Sequence, residues 1–173
     1  MGREILVDGY NVIKRDASFQ VLEARNLAAA RDALITQLVT RYRHTPHRVT
    51  VVFDGKGSSE QVMHERRIRV VYSRAGETAD SVIARLAAHA RAEGYEVEMY
   101  SDDLEVRSSV TKEGGSAKTT GQLTSQFNAP PAHLKRLVRH RQIVRHKYGL
   151  DPAKGKDDDE PGLPPPQRRR KKK

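Results

Sequence analysis

The chain of 173 residues reads as one α/β domain on a mainly parallel sheet, followed by a basic C-terminal extension. Three observations predict this. Short β-branched apolar runs alternate with amphipathic helical stretches. Each main run ends on, or within two residues of, an aspartate: Asp8, Asp54 and the pair Asp102-Asp103. Charge is also split along the chain. Residues 1–105 carry 15 Lys/Arg against 16 Asp/Glu, residues 106–150 nine against one, and residues 151–173 eight against five.

Residues 4–8, ending Ile5-Leu6-Val7-Asp8, predict a buried strand. A helix is expected over about 22–43, because Leu27, Arg31, Leu34, Leu38 and Tyr42 recur at steps of three or four; Thr45-Pro46-His47 ends it. Residues 48–54 form a second strand, rich in β-branched side chains, and Gly55 to Ser59 a loop. Residues 66–72 alternate, with Ile68, Val70 and Tyr72 on one side, and predict a strand nearer the sheet edge. Thr78 caps a helix running to about Glu93, with Val82, Ile83, Leu86 and Ala90 as its buried stripe and Gly94 as its stop. Residues 95–100 form a further strand, with Val97 and Met99 facing one way. Strands alternating with helices imply parallel pairing through right-handed crossovers.

Beyond Asp103 the pattern predicts a short helix over 104–110 and a loop over 112–121. Asn128 would cap a helix starting near Pro130-Pro131. Its apolar face would hold Leu134, Leu137, Val138, Val144 and Tyr148, and Lys135, Arg136, Arg139, Arg141, Arg145 and Lys147 would cover the rest as an RNA-binding face. From Asp151 the Pro-, Gly- and charge-rich composition predicts disorder. The expected divisions are therefore a domain over 1–128, a basic helix over 129–150 and a tail over 151–173.

The absence of cysteine excludes thiol nucleophiles, Cys-based zinc sites and disulfides. No apolar run reaches the length of a membrane span, and no leader precedes the first strand, so a cytoplasmic protein is expected. The basic C-terminal third points to a polyanionic partner, RNA above all. A monomer is the default.

In a parallel sheet the strand ends share one edge, so Asp8, Asp54 and Asp102-Asp103 should meet in one crevice, with Asp80 joining from the start of its helix. Each has a plain reading alone: Asp8-Gly9-Tyr10-Asn11 is good turn sequence, and an acid in the first turn of a helix suits the dipole. Together they repel one another unless a hard divalent cation, Mg²⁺ or Mn²⁺, sits among them. Such a cluster supports phosphodiester hydrolysis by a metal-activated water, with Asn11 orienting water or phosphate and Glu77 or Asp80 positioning the attacking water. Gly114 to Thr119 glances at a phosphate-binding loop but has Ala117 where glycine should precede the lysine, and no strand feeds it. A phosphatase of the aspartyl-phosphate type needs a second aspartate where Tyr10 stands.

The motifs Leu6-Val7-Asp8-Gly9-Tyr10-Asn11, Ala30-Arg31-Asp32, Val51-Val52-Phe53-Asp54-Gly55, Gly76-Glu77-Thr78-Ala79-Asp80 and Ser101-Asp102-Asp103 together resemble the YacP-like branch of the NYN domains, relatives of the PIN-domain nucleases. The resemblance spans about residues 3–127. It implies a three-layer α/β/α PIN-like fold and a metal-dependent endoribonuclease, with mRNA on the ribosome as the substrate context. By position, Asp8, Asp80 and Asp102 match its metal-binding acids, Asn11 the asparagine of the first motif, and Asp54 and Glu77 further acidic positions near the site. Arg31, in the family-like Ala30-Arg31-Asp32, could reach the site or pair with a structural carboxylate, and the structural role is the expected one. The rival reading is a non-catalytic RNA- or ribosome-binding module on the same fold. A small phosphatase or nucleotidase is more distant, since so basic a chain suits a polymer.

Overall fold

The computed structural model describes residues 2–127. The expected basic helix, with Lys135, Arg136, Arg139, Arg141, Arg145 and Lys147, and the tail from 151 lie outside the described residues.

β1 (Arg3–Asp8) is the axis of the molecule, pairing in parallel with β2 (Arg48–Phe53) on one side and β5 (Glu96–Tyr100) on the other. Being covered on both faces, it reads as a continuous apolar run, and Ile5, Leu6 and Val7 are at most 1% exposed. Beyond β2 lies β4 (Ile68–Tyr72), parallel, and then β3 (Gln61–Glu65), antiparallel, at the edge. Beyond β5 lies the short parallel β6 (Ser116–Lys118). The order β3-β4-β2-β1-β5-β6 reverses direction at β1, so a crevice opens between the carboxyl ends of β1 and β5.

Alternation along the strands sends side chains to two cores. Ile5, Val7, Val49, Val51, Phe53, Val70 and Tyr100 face α1 (Gly9–Arg15), α2 (Ala17–Glu23), α3 (Leu27–Tyr42) and α6 (Thr120–Phe127). Leu6, Val52, Val71, Val97 and Met99 face α4 (Ala79–Ala92) and α5 (Leu104–Lys112). The fold is the expected three-layer α/β/α arrangement.

Several elements differ from the sequence reading. The expected helix over 22–43 is two helices, because Asn26 turns out of the helical region and its side chain accepts from Ala28 N–H at 2.8 Å, starting α3 anew. Leu27 is consequently exposed, and the buried stripe runs through Ala30, Leu34, Ile35, Leu38 and Val39. The expected turn at Gly9 opens directly into α1. A Cβ on Gly9 would stand 2.2 Å from the Phe53 ring, so only glycine lets α1 start against the end of β2. The single strand expected over 66–72 is a hairpin turning at Arg66 (φ 54°), which adds β3. The expected loop over 112–121 contains β6 and the start of α6. There Thr119 and Gln122 cap each other: Thr119 Oγ1 accepts from Gln122 N–H at 3.2 Å and Gln122 Oε1 from Thr119 N–H at 2.9 Å.

Candidate active site

Asp8 ends β1 and caps α1. It is 7% exposed; one carboxylate oxygen accepts from Asn11 N–H and the other from the buried Ser101 hydroxyl, both at 3.1 Å. Burial raises its pKa most, the Asn11 and Ser101 hydrogen bonds oppose, and the Asp80 and Asp54 charges add, for a result of about 6.

The other carboxylates arrive from three elements. Asp54 leaves the end of β2, is exposed, and accepts from Ala79 N–H at 2.7 Å, pinning the start of α4 to the sheet. Thr78 caps that helix as the sequence predicts, its hydroxyl accepting from Ser81 N–H at 3.2 Å. Asp80 is thus held in the first turn of α4, half-buried. Burial first, then the charges of Asp103, Asp54 and Glu105, push its pKa up. Asp103 caps α5, accepting from Glu105 N–H at 2.8 Å, while its own N–H donates to Ser101 Oγ at 3.1 Å. Among the described residues none of Asp8, Asp54, Asp80 and Asp103 forms an ion pair with Lys, Arg or His.

Two expected members have their carboxylates already engaged. Asp102 follows Tyr100 on the alternation and so turns toward the α1/α6 layer. Its carboxylate accepts from Thr120 N–H at 3.2 Å and from the Thr120 hydroxyl. Its N–H donates to Asn11 Oδ1 at 3.1 Å, so Asn11 ties α1 to the β5–α5 connection. Glu77 lies 3.3 Å from Arg85 and 3.4 Å from Arg74, and Arg85 also holds Glu60 at 2.5 Å. Its charge is already compensated. Ser101, by contrast, escaped the sequence reading as a site residue. Its position directly before two acids at the buried end of a strand was the available signal.

Arg31 stacks over the Tyr72 ring, 5.6 Å from its centroid, and among the described residues it pairs with no carboxylate. Tyr72 stacks on Phe53 at 5.5 Å, and Phe53 meets Tyr10 at 5.1 Å. Burial raises the pKa of Tyr10, Arg31 lowers it, and Tyr72, Asp54 and Glu23 raise it.

Whether these residues suit a divalent cation can be tested on their chemistry. No three acidic or histidine side chains among the described residues come close enough to ligate one ion directly. The donors are all hard oxygens in an uncompensated negative field. They suit Mg²⁺ or Mn²⁺ held through one or two carboxylates with most of its waters kept, and do not suit an ion caged wholly by protein.

The comparisons with known proteins agree with this architecture. The family model for the YacP-like NYN domain matches residues 5–156. The YacP protein of Bacillus subtilis is 29% identical over 138 residues, covering 78% of this chain and 81% of that protein. The crystal structure of Rae1 (YacP) from Bacillus subtilis superposes with a TM-score of 0.64 at 25% identity, covering 87% of this chain and 85% of that one. A mutant of the same protein superposes at 0.63 and 24% identity, covering 87% and 86%. NYN domains fall within the PIN-like nuclease superfamily, whose members generally use divalent metal ions, so membership carries a nuclease-type, RNA-related function. The chain belongs to the YacP-like NYN domain family.

Proposed function

We propose that this protein is a metal-dependent endoribonuclease that hydrolyses phosphodiester bonds within RNA, with mRNA in the context of the ribosome as its substrate and the cytoplasm as its setting. The observation that carries the reading is the group Asp8, Asp54, Asp80 and Asp103. Acids from four separate elements share one field at the switch point of the sheet, and among the described residues no Lys, Arg or His pairs with them. Left empty, such a group only costs stability.

In this reading Asp8 and Asp80 would hold Mg²⁺ or Mn²⁺, with Asp54 and Asp103 adding negative charge in support. When bound, the ion lowers the pKa of a water and offsets charge on the phosphoryl oxygens. The chain's own residues supply position. Ser101 and the Asn11 amide fix both oxygens of Asp8. Asp102, matched by resemblance to the metal set, is bound to Thr120 and Asn11, and we assign it the placing of those residues. Glu77 orients α4 through Arg85. The stretch 106–150, nine Lys/Arg against one Asp/Glu, provides affinity for phosphate without reading sequence.

The test is cleavage of a mixed RNA pool by the full chain in Mn²⁺ or Mg²⁺, beside EDTA and Asp8→Asn controls, repeated on translating ribosomes. Internal cuts lost in both controls support the reading. Wild type that binds RNA but leaves it whole in both settings contradicts it and returns the non-catalytic binding module.

A further inference from the structure

On the α3 side of the sheet, beside the acids, lies a cleft of about 290 Å³ bordered by Arg31, Lys56, Ser59 and Tyr72, with Gly55 and Gly57 in its wall. Among the described residues its two cations, Arg31 and Lys56, form no ion pair, so neither charge is offset by a carboxylate there. Arg31 and the backbone that carries Lys56 are nevertheless held in place. Arg31 lies on Tyr72, which Phe53 fixes from within the core. Lys56 rides on a loop clamped to the end of β4: Gly55 N–H donates to Ser73 Oγ at 3.1 Å, and Ala75 N–H to Gly57 O at 2.7 Å. A Cβ on Gly55 would stand 1.9 Å from the Ser73 carbonyl oxygen, so only glycine permits the clamp.

The cleft also has a fixed relation to the acids. Lys56 is two residues beyond Asp54, so their Cα atoms are at most about 7 Å apart. An RNA strand entering a crevice of carboxylates is repelled on either side of the phosphate being cut. Oriented cations one step away offset that repulsion. A guanidinium fork beside a lysine point charge suits phosphate oxygens, and the volume admits one phosphate with its sugar.

We propose that this cleft binds a phosphate of the RNA strand neighbouring the scissile one, with Arg31 and Lys56 as its ligands. The inference rests on the endoribonuclease reading and makes these two residues determinants of substrate positioning.

The test uses a labelled single-stranded RNA 12-mer with the full chain. Binding is followed against salt in EDTA and cleavage in Mn²⁺, for wild type, Arg31→Gln, Lys56→Gln and the control Arg43→Gln, an exposed cation at the far end of α3. Thermal melts confirm folding. Each cleft variant should bind roughly 5- to 10-fold more weakly, lower the salt slope by about 0.7 and lose kcat/KM, with the control near wild type. Unchanged slope and kcat/KM in both cleft variants, or equal losses in the control, overturn the proposal while wild-type cleavage leaves the endoribonuclease reading standing. Wild type that binds without cutting contradicts that reading, and the slopes alone then decide the cleft. Wild type that does not bind RNA overturns both. Inorganic phosphate or a mononucleotide competing as strongly as the RNA at fixed ionic strength would mark a free-phosphate site and overturn the strand assignment.

Discussion

Toward the N-terminal ends of the strands, Glu4 and Glu98 are 4% and 7% exposed; at the carboxyl ends, Asp8 is also 7% exposed. The surroundings differ completely. Glu4 meets Arg48 at 3.1 Å and the Thr50 hydroxyl at 2.9 Å. Glu98 is bound by the Tyr100 hydroxyl, by Lys118 at 2.9 Å and by Arg3 at 3.2 Å. Burial pushes the pKa of Glu98 up, but these donors together hold it below the ordinary carboxylate range. Asp8 accepts from two neutral donors, the nearby charges of Asp80 and Asp54 are negative, and its pKa rises to about 6. At the same solvent exposure the two carboxyls shift in opposite directions, so exposure alone does not set the outcome; the donors and charges around each one do. One end of the sheet is built for stability. The other is left charged and incomplete, as a site awaiting a cation is.

The comparison breaks or sharpens most clearly through Asp8→Asn. Removing a charge that ligates the ion should cost several kcal/mol of transition-state stabilisation, on the order of a thousandfold in cleavage rate, with an unchanged circular dichroism spectrum. Unfolding of the variant would instead make Asp8 structural.

Next in size is a pH effect. Because its folded pKa lies above the unfolded value, Asp8 contributes stability that is present below about pH 4 and lost as pH rises through about 6. Roughly two pKa units correspond to about 3 kcal/mol. In EDTA the wild type should therefore lose stability over that window relative to Asp8→Asn, as read by urea unfolding at several pH values. Parallel curves for the two proteins would show that Asp8 titrates normally. Glu98 has the opposite sign: its contribution is present at neutral pH and is lost as pH falls through its lowered pKa.

At the other end, Glu98→Gln removes the partner of Lys118 and Arg3. Both are partly exposed, so the expected loss is ~1–2 kcal/mol, with cleavage unaffected. A large loss of cleavage without loss of stability would mean the two ends are not separate in function.

The smallest effect belongs to Ser101→Ala. It takes one donor from Asp8 and one acceptor from the Asp103 amide, at a cost of ~1 kcal/mol. Asp8 should then deprotonate at still higher pH, and the acidic limb of the cleavage profile should move to higher pH. An unmoved limb would separate Ser101 from the site.

How much of this could be read in the chain follows from where the physical signals lie. β1, β2 and β5 are legible because burial on both faces demands unbroken apolar runs, and α4 because Thr78 caps an amphipathic stripe. β3 was illegible: all five of its residues are exposed, so it carries no apolar alternation. α1 was hidden because Gly9-Tyr10-Asn11 is turn-like until Phe53 packs against Gly9. The crevice itself was legible from strand ends. How Asp102 and Asp103 divide their partners was not: Asp102 binds Thr120 and Asp103 caps α5. Nor could the chain show that Arg85 and Arg74 neutralise Glu77, or that Arg31 chooses an aromatic ring over a carboxylate.

The central claim is that the carboxyl end of the sheet is completed by a divalent cation, and thermal unfolding at pH 7 with and without millimolar Mn²⁺ tests it most directly. Wild type should melt higher in Mn²⁺, whereas Asp8→Asn should start higher in EDTA and respond little to the ion. An equal Mn²⁺ response in both proteins, or none in wild type, would contradict the account.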